Sequence, residues 1–234
     1  MEEQNSIDKL RLLHSLPIIL GDNLCLVYPV TLSEIAQLGE EKFFHMLNLL
    51  TITTEDINAE TAMSPFDFLL VNSVNSDFFL ELQNAFSTFI REEITILPRE
   101  RAIRIGDKLM YEKDFIQLQK ILSLQNNLEE DKDSMSNPAD AEAARIIAKI
   151  KEGKEKIGKN EMKVELSDLV SCLAAKGNGI NIFNVWELSY YSFNDMFKRL
   201  KMIEDYDVNM RSILAGADPK KVQLKHWIRN INEK

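Results

Sequence analysis

The sequence predicts a mainly α-helical protein with small β-hairpins, an α+β fold in which an acidic linker joins two helical subdomains. Three observations carry this prediction. Apolar residues recur at helical spacing over most of the chain, most clearly between Leu166 and Leu173. Two segments instead have short apolar runs around Gly-Asp pairs, at Gly21 and Gly106, as is typical of β-hairpins. Between the helical regions, residues 128–142 are polar, acidic and proline-containing, which favours a linker.

Length and charge limit the functions that need to be considered. A chain of 234 residues with 45% hydrophobic content can bury a core in one large domain or two small ones. Its net charge of −9 argues against a dedicated nucleic-acid binder, which usually carries a basic face. Cys25 and Cys172 lie far apart in apolar contexts, so we expect free thiols in a reducing cytosol. Because neither a signal peptide nor a membrane-length apolar run is present, a soluble cytoplasmic protein is expected.

The first half of the chain begins with a predicted β-hairpin over residues 16–28. A capping box at Thr31–Glu34 then predicts a helix start, and Gly39 predicts a break or bend in the helical region that follows. Ser64-Pro65 predicts a second helix start, since proline is tolerated at the first helical position. Helical spacing returns between Phe78 and Ile90.

A change to strand character over residues 93–111 predicts a small meander. A helix over 114–125 follows, with Asp114 as its N-cap. We therefore divide the chain into an N-terminal α+β domain (1–127), the acidic linker (128–142) and a C-terminal helical domain (143–234). The C-terminal domain begins with a basic helix over about 141–159, for which a solvated face is favoured over an anion-binding one.

The C-terminal domain continues with three helical segments. The stripe from Leu166 to Leu173 ends at Gly177-Asn178-Gly179, and Ile182, Val185 and Trp186 fit a short helix. Ser192–Asp195 resembles the cap of a longer helix that runs to Gly216. A basic tail containing Trp227 follows.

The residues with catalytic or metal-binding potential do not form a recognisable motif. The three histidines, His14, His45 and His226, lack metal-ligand spacing, and the common nucleotide-binding and nucleophile motifs are missing from the sequence. Adjacent carboxylates such as Glu40-Glu41 point in different directions on a helix and are usually solvated. We therefore expect no enzyme activity, no metal and no cofactor.

Aromatic residues in the C-terminal region instead favour protein recognition. Trp186, Phe193 and Phe197 are expected in the core of a small helical domain. Tyrosine and tryptophan are also enriched at interfaces, because a polar group ends an apolar ring system. The residues that we expect to bind a partner are Tyr190, Tyr191, Tyr206 and Trp227.

Four segments carry a resemblance to a known family: TLSEIAQLGEEKFFHMLNLL, DKLMYEKDFIQLQKILSLQNN, INIFNVWELSYYSFNDMFKRL and SILAGADPKKVQLKHWIRNI. Together they resemble tail assembly chaperone-like proteins of long-tailed bacteriophages and prophages of Gram-positive bacteria. The resemblance implies a non-enzymatic helical protein of the host cytoplasm that is absent from the mature virion. It implies two partners, the tape measure protein and the tail tube protein, and leaves self-association open.

Two alternatives remain at this point. One is a structural phage protein retained in the particle, such as a neck, baseplate or tail component. The other is a nucleic-acid-binding regulator, which only the basic helix and the basic tail favour. The predicted partner-binding role requires neither nucleic acid nor a membrane.

Overall fold

The computed structural model describes residues 9–57, 63–128, 164–219, 221–222 and 224–229. These residues form eight α-helices, two 3₁₀ turns and five short strands in two antiparallel sheets. The mainly helical α+β class is therefore confirmed. The predicted basic helix and all of the predicted acidic linker except Leu128 lie outside the described residues.

Most of the described chain is helical, and the strands are short. The helices are α1 (Lys9–Leu13), α2 (Leu32–Leu38), α3 (Glu40–Leu50), α4 (Pro65–Asn72), α5 (Ser76–Phe89), α6 (Glu112–Gln125), α7 (Leu166–Lys176) and α8 (Tyr190–Leu214). The strands are β1 (Ile18–Leu20), β2 (Cys25–Val27), β3 (Ile94–Leu97), β4 (Ala102–Ile105) and β5 (Lys108–Met110). The 3₁₀ turns cover Pro98–Glu100 and Val185–Glu187.

The predicted hairpin at Gly21 and the predicted meander are both confirmed. Strands β1 and β2 pair antiparallel with Leu20 opposite Cys25, and Gly21 adopts a positive φ of 57° that suits a turn. In the second sheet β4 lies between β3 and β5, so that Ile103 faces both Ile96 and Met110. Helix α6 packs against β1, β2 and β5 and so lies beside both sheets.

The helix starts at Thr31 and Ser64 are also confirmed. The Thr31 hydroxyl accepts a hydrogen bond from the Glu34 amide at 3.2 Å, and the Glu34 carboxylate accepts one from the Thr31 amide at 2.8 Å. These reciprocal bonds satisfy donors that the first helical turn leaves without a partner. Gly39 has φ 90° and separates α2 from α3, as the sequence predicts.

Two helix starts were predicted at the wrong residue. Helix α6 begins at Glu112, so Asp114 is not its N-cap but a residue of the first turn, where its carboxylate accepts the Tyr111 amide at 3.1 Å. Helix α8 begins at Tyr190, and its N-cap is Ser189 rather than Ser192. The Ser189 hydroxyl accepts the Ser192 amide at 3.2 Å, which identifies Ser189 as the capping side chain.

One apolar core contains side chains from both halves of the chain. It joins the hairpin, helices α3 to α6 and the meander with Val170 and Leu173 of α7, Val185, and Phe193 of α8. The predicted boundary between the domains 1–127 and 143–234 falls within residues 129–163, which lie outside the described residues. The division therefore stays a prediction. The described residues show that the segment from Leu166 to Leu200 completes the core that the first half begins.

Two general properties of the described residues bear on function. None of their helices is long and apolar enough to span a lipid bilayer. No group of three or more His, Cys, Asp or Glu side chains in the described ranges is arranged to hold a metal ion.

Candidate protein-binding surface

Helix α8 leaves the core soon after it begins. It has 25 residues, so its length is about 37 Å at roughly 1.5 Å per residue. Its buried residues, Tyr191, Ser192 and Phe193, all lie in the first turn, and Phe197 and Leu200 pack against the core from partly exposed positions. The remainder of α8 therefore extends along the surface of the protein.

Apolar side chains continue along this surface part of α8. Ile203, Met210 and Leu214 are separated by seven and four residues, which places them on one face of the helix. We call these three residues the α8 stripe. Ile203 and Met210 are half-buried, whereas Leu214 is 80% exposed. A stripe of this kind can accept an apolar helix from another protein.

The C-terminal tail folds back onto α8. One guanidinium nitrogen of Arg199 donates hydrogen bonds to the carbonyl oxygens of Trp227 and Arg229, the latter at 2.8 Å. The ring of Tyr206 lies 5.3 Å from that of His226, which stacks on Trp227 at 5.5 Å. Arg199 and the three rings therefore hold residues 226–229 against the helix.

The predicted partner-binding residues fall into two groups. Tyr206 and Trp227 lie together through His226, and both are partly exposed, as a binding residue requires. Tyr190 and Tyr191 lie elsewhere, at the start of α8 where the helix enters the core.

The expectation that both tyrosines are exposed is wrong for Tyr191, and Tyr190 is half-buried. Tyr191 is only 8% exposed. The ring of Tyr190 lies 5.7 Å from that of Phe43 and 5.8 Å from that of Phe44. Burial raises the pKa of both phenols above the ordinary tyrosine value, which agrees with their positions in or beside the core. They act as packing residues in the free protein.

Sequence reasoning missed Phe183, whose side chain is 88% exposed. The predicted short helix around Ile182 is in fact a 3₁₀ turn that begins only at Val185, and Ile182 and Phe183 lie in the loop before it. The signal that could have revealed this was Asn181 and Asn184 on either side of the two apolar residues. Asparagine bonds to nearby backbone and so favours a turn over a helix.

Four hydrogen bonds that involve side chains hold the loop around Phe183. The Asn181 side-chain oxygen accepts the Phe183 amide at 2.9 Å, and the Asn184 side-chain oxygen accepts the Asn181 amide at 2.8 Å. The Asn184 amide group also donates to the Gly179 carbonyl at 3.0 Å, and the Trp186 indole N–H donates to the Ile182 carbonyl at 2.7 Å. The backbone at Phe183 is therefore fixed, and the ring extends from it into solvent.

Gly177 sets where this loop leaves α7. A Cβ added to Gly177 would lie 2.6 Å from the Leu173 carbonyl oxygen, a distance that real side chains do not tolerate. At the same end of α7, the Lys176 ammonium pairs with Glu204 of α8, which raises the pKa of the lysine through that hydrogen bond and the nearby charge. The loop thus starts from a fixed position beside α8.

Comparison with known proteins adds one similarity. No curated protein and no solved structure matches the chain. A family model described as the YomV second domain matches residues 156–232, about a third of the chain. The Phe183 loop, all of α8 and the tail through Arg229 thus lie in a stretch that is similar to the YomV second domain.

Proposed function

We propose that this protein is a phage tail assembly chaperone that binds the tape measure protein and recruits tail tube subunits during tail morphogenesis. The observation that carries the proposal is the α8 stripe, an apolar face on a helix that has already left the core. The resemblance of four sequence segments to tail assembly chaperone-like proteins supplies the biological setting.

The chemistry of the stripe suits a helical cargo. A tape measure protein is a long helix-rich chain, and helices of such chains present apolar stripes that need cover before assembly. Methionine at position 210 adds a flexible, polarisable contact that can adapt to different apolar neighbours. The stripe therefore binds by shape and apolarity, so that one chaperone can serve successive segments of the cargo.

Charge on the flanks of the stripe supports the same role. Asp207 lies four residues after Ile203 and so beside the stripe, and the whole chain carries a net charge of −9. Like-charged molecules repel one another, so a coated cargo stays dispersed in solution. We place this activity in the cytoplasm of the bacterial host, without enzymatic chemistry.

The experiment that tests the proposal is co-expression with the tape measure protein followed by affinity capture. Met210→Ser combined with Leu214→Ser should reduce capture by about tenfold or more, because two apolar anchors are lost from one face. Leu80→Ser is the matched control, since Leu80 is 56% exposed on α5 and lies outside the stripe. Unchanged capture by a correctly folded double variant would show that the stripe is not the binding face.

A second measurement separates a chaperone from a structural component of the particle. A chaperone leaves before the tail is complete, so mass spectrometry of purified virions should find this chain absent or strongly depleted. A stoichiometric amount in the virion would instead favour a neck, baseplate or tail component.

A further inference from the structure

The side chains that bind the C-terminal tail lie on the same face of α8 as the stripe. Arg199 precedes Ile203 by four residues, and Tyr206 follows Ile203 by three. Tyr206 in turn precedes Met210 by four residues. Residues at these spacings are neighbours on one side of a helix, so a single face runs from Arg199 to Met210. The tail and the stripe therefore share one side of α8.

The tail occupies the first part of this face. Its residues 226–229 bind Arg199 through two backbone carbonyl oxygens and meet Tyr206 through an imidazole ring. Ile203 lies between these two contacts along the helix and is half-buried. Leu214, which lies beyond both contacts, is 80% exposed. The tail therefore lies along the beginning of the stripe and leaves its end open to solvent.

The tail buries little of its own apolar surface in this position. Leu224, Trp227 and Ile228 have the spacing of an apolar stripe on a helix, yet Leu224 is 41% exposed and Ile228 is 71% exposed. None of residues 224–229 belongs to the apolar core. A segment held by a few hydrogen bonds and ring contacts opens at a small fraction of the free energy of global unfolding. The tail can therefore leave α8 while the core stays folded.

We propose that the tail is a built-in competitor for the cargo site and leaves α8 when cargo binds. The inference rests on the proposed function, because it takes the α8 stripe as the cargo site. A cargo helix that lays its apolar face on the stripe buries more apolar area than the tail does, so it can displace the tail. Trp227 thus acts on its own chain rather than as an anchor for the partner.

The competition gives the free protein a cover for a surface that would otherwise attract unrelated apolar chains. A binding site that is open in only a fraction of the molecules has its apparent affinity reduced by that fraction. Weak apolar ligands therefore stay unbound, whereas a cargo that matches the whole stripe gains access. The expected sign of the effect is that loosening the tail strengthens cargo binding.

The first test compares full-length chains in which the tail is closed or released. His226→Ala combined with Trp227→Ala removes the rings that meet Tyr206 and leaves every residue of α8 unchanged. At limiting amounts of the tape measure protein, this double variant should capture about three- to tenfold more cargo than the wild type. Ile228→Ala alters an exposed apolar side chain of the same tail and should capture like the wild type.

Amide hydrogen exchange shows directly whether the tail leaves. The amides of residues 224–229 should exchange faster in the double variant than in the wild type, while the core amides keep their protection. In the wild type the same amides should also exchange faster when the tape measure protein is bound. Tail exchange that is unchanged in that complex overturns the proposal.

The capture assay separates failure of the competition from failure of the proposed function. Equal capture by the wild type and by a double variant whose tail is released would leave the proposed function standing and overturn the competition. Weaker capture by the double variant would also overturn it, and would identify Trp227 as a partner anchor. If neither chain captures the tape measure protein, the proposed function is wrong and the competition falls with it.

Discussion

Thr31 and Ser189 pair with each other in an isolated antiparallel β-bridge, and each is the N-cap of a helix. The Leu32 amide donates to the Leu188 carbonyl and the Tyr190 amide donates to the Val30 carbonyl, both at 2.9 Å. Helices α2 and α8 therefore start at one point although most of the chain separates them. The capping side chains supply the acceptors that two adjacent helix N-termini require.

Loss of the Ser189 cap should destabilise the whole protein. Ser189 is fully buried, and its hydroxyl both accepts the Ser192 amide and donates to the Ser192 hydroxyl at 3.0 Å. We expect Ser189→Ala to lower the free energy of unfolding by about 1–2 kcal/mol. Ser171→Ala, at an exposed position of α7, is the control and should change stability by less than about 0.5 kcal/mol. Denaturant titration measures both, and equal values would contradict the role of the cap.

Tyr190→Ala should destabilise the fold, because the ring packs against Phe43 and Phe44. A loss of about 2–4 kcal/mol is expected, somewhat below that of a fully buried ring. Tyr190→Phe keeps the ring and should be nearly neutral. Trp227→Ala should leave the melting temperature almost unchanged, since the tail lies outside the core. A large loss in the Trp227 variant would mean that the tail stabilises the core.

Proteolysis in the acidic segment 128–142 should cut the chain without separating its halves. The segment has too little apolar surface to be protected by packing of its own. Because residues on both sides of it share one core, the two fragments should elute together in native buffer and separate only in denaturant. Fragments that separate in native buffer would show that the two halves fold independently.

The two cysteines should react at very different rates. Burial, reinforced by the nearby Glu92 carboxylate, raises the pKa of the Cys25 thiol to about 12, whereas Cys172 is exposed on α7. A raised pKa keeps the thiol protonated, so any stability that depends on it is complete below pH 9 and is lost as the pH rises towards 12. At pH 8 a thiol reagent should modify one cysteine rapidly. Cys172→Ser should abolish that fast phase, and a remaining fast phase would place Cys25 at the surface.

Arg199→Ala should release the tail, since this guanidinium donates to two tail carbonyls. Amide hydrogen exchange over residues 224–229 is expected to accelerate, while the core amides keep their protection. Arg211→Ala removes a positive charge from the same helix without touching these carbonyls and is the control. Equal acceleration in both variants would indicate a general effect of charge.

Local signals allowed much of the fold to be predicted. Neighbouring residues alone determine the turn at Gly21, the capping box at Thr31 and the break at Gly39. These features can therefore be predicted from short stretches of sequence. The start of α8 was predicted at Ser192 instead of Ser189. Ser189 pairs with Thr31, and a contact with so distant a residue cannot be recognised from the neighbouring sequence. The exposure of Tyr190 was misjudged for the same reason, since Phe43 and Phe44 come from another part of the chain.

The candidate surface was harder to predict than the fold. The aromatic residues near Trp186 predicted a recognition surface in the C-terminal region, but periodicity does not distinguish a ring that packs from one that projects. Phe183 projects because asparagines turn the backbone on both sides of it. Leu214 is exposed because α8 extends beyond the core on which its first turns pack. Local sequence does not show how far a helix extends beyond the core, since this depends on the whole fold.

The Thr31–Ser189 bridge can form only late in synthesis, because its two residues lie far apart in the chain. A ribosome produces β1, β2 and α2 long before it reaches Ser189, so the first half of the protein emerges without the strand partner of Thr31. Until then the faces of Phe43 and Phe44 that Tyr190 covers stay open to water or to other chains. Contacts between such distant residues form slowly. The nascent chain is therefore most prone to aggregate before α8 has been translated.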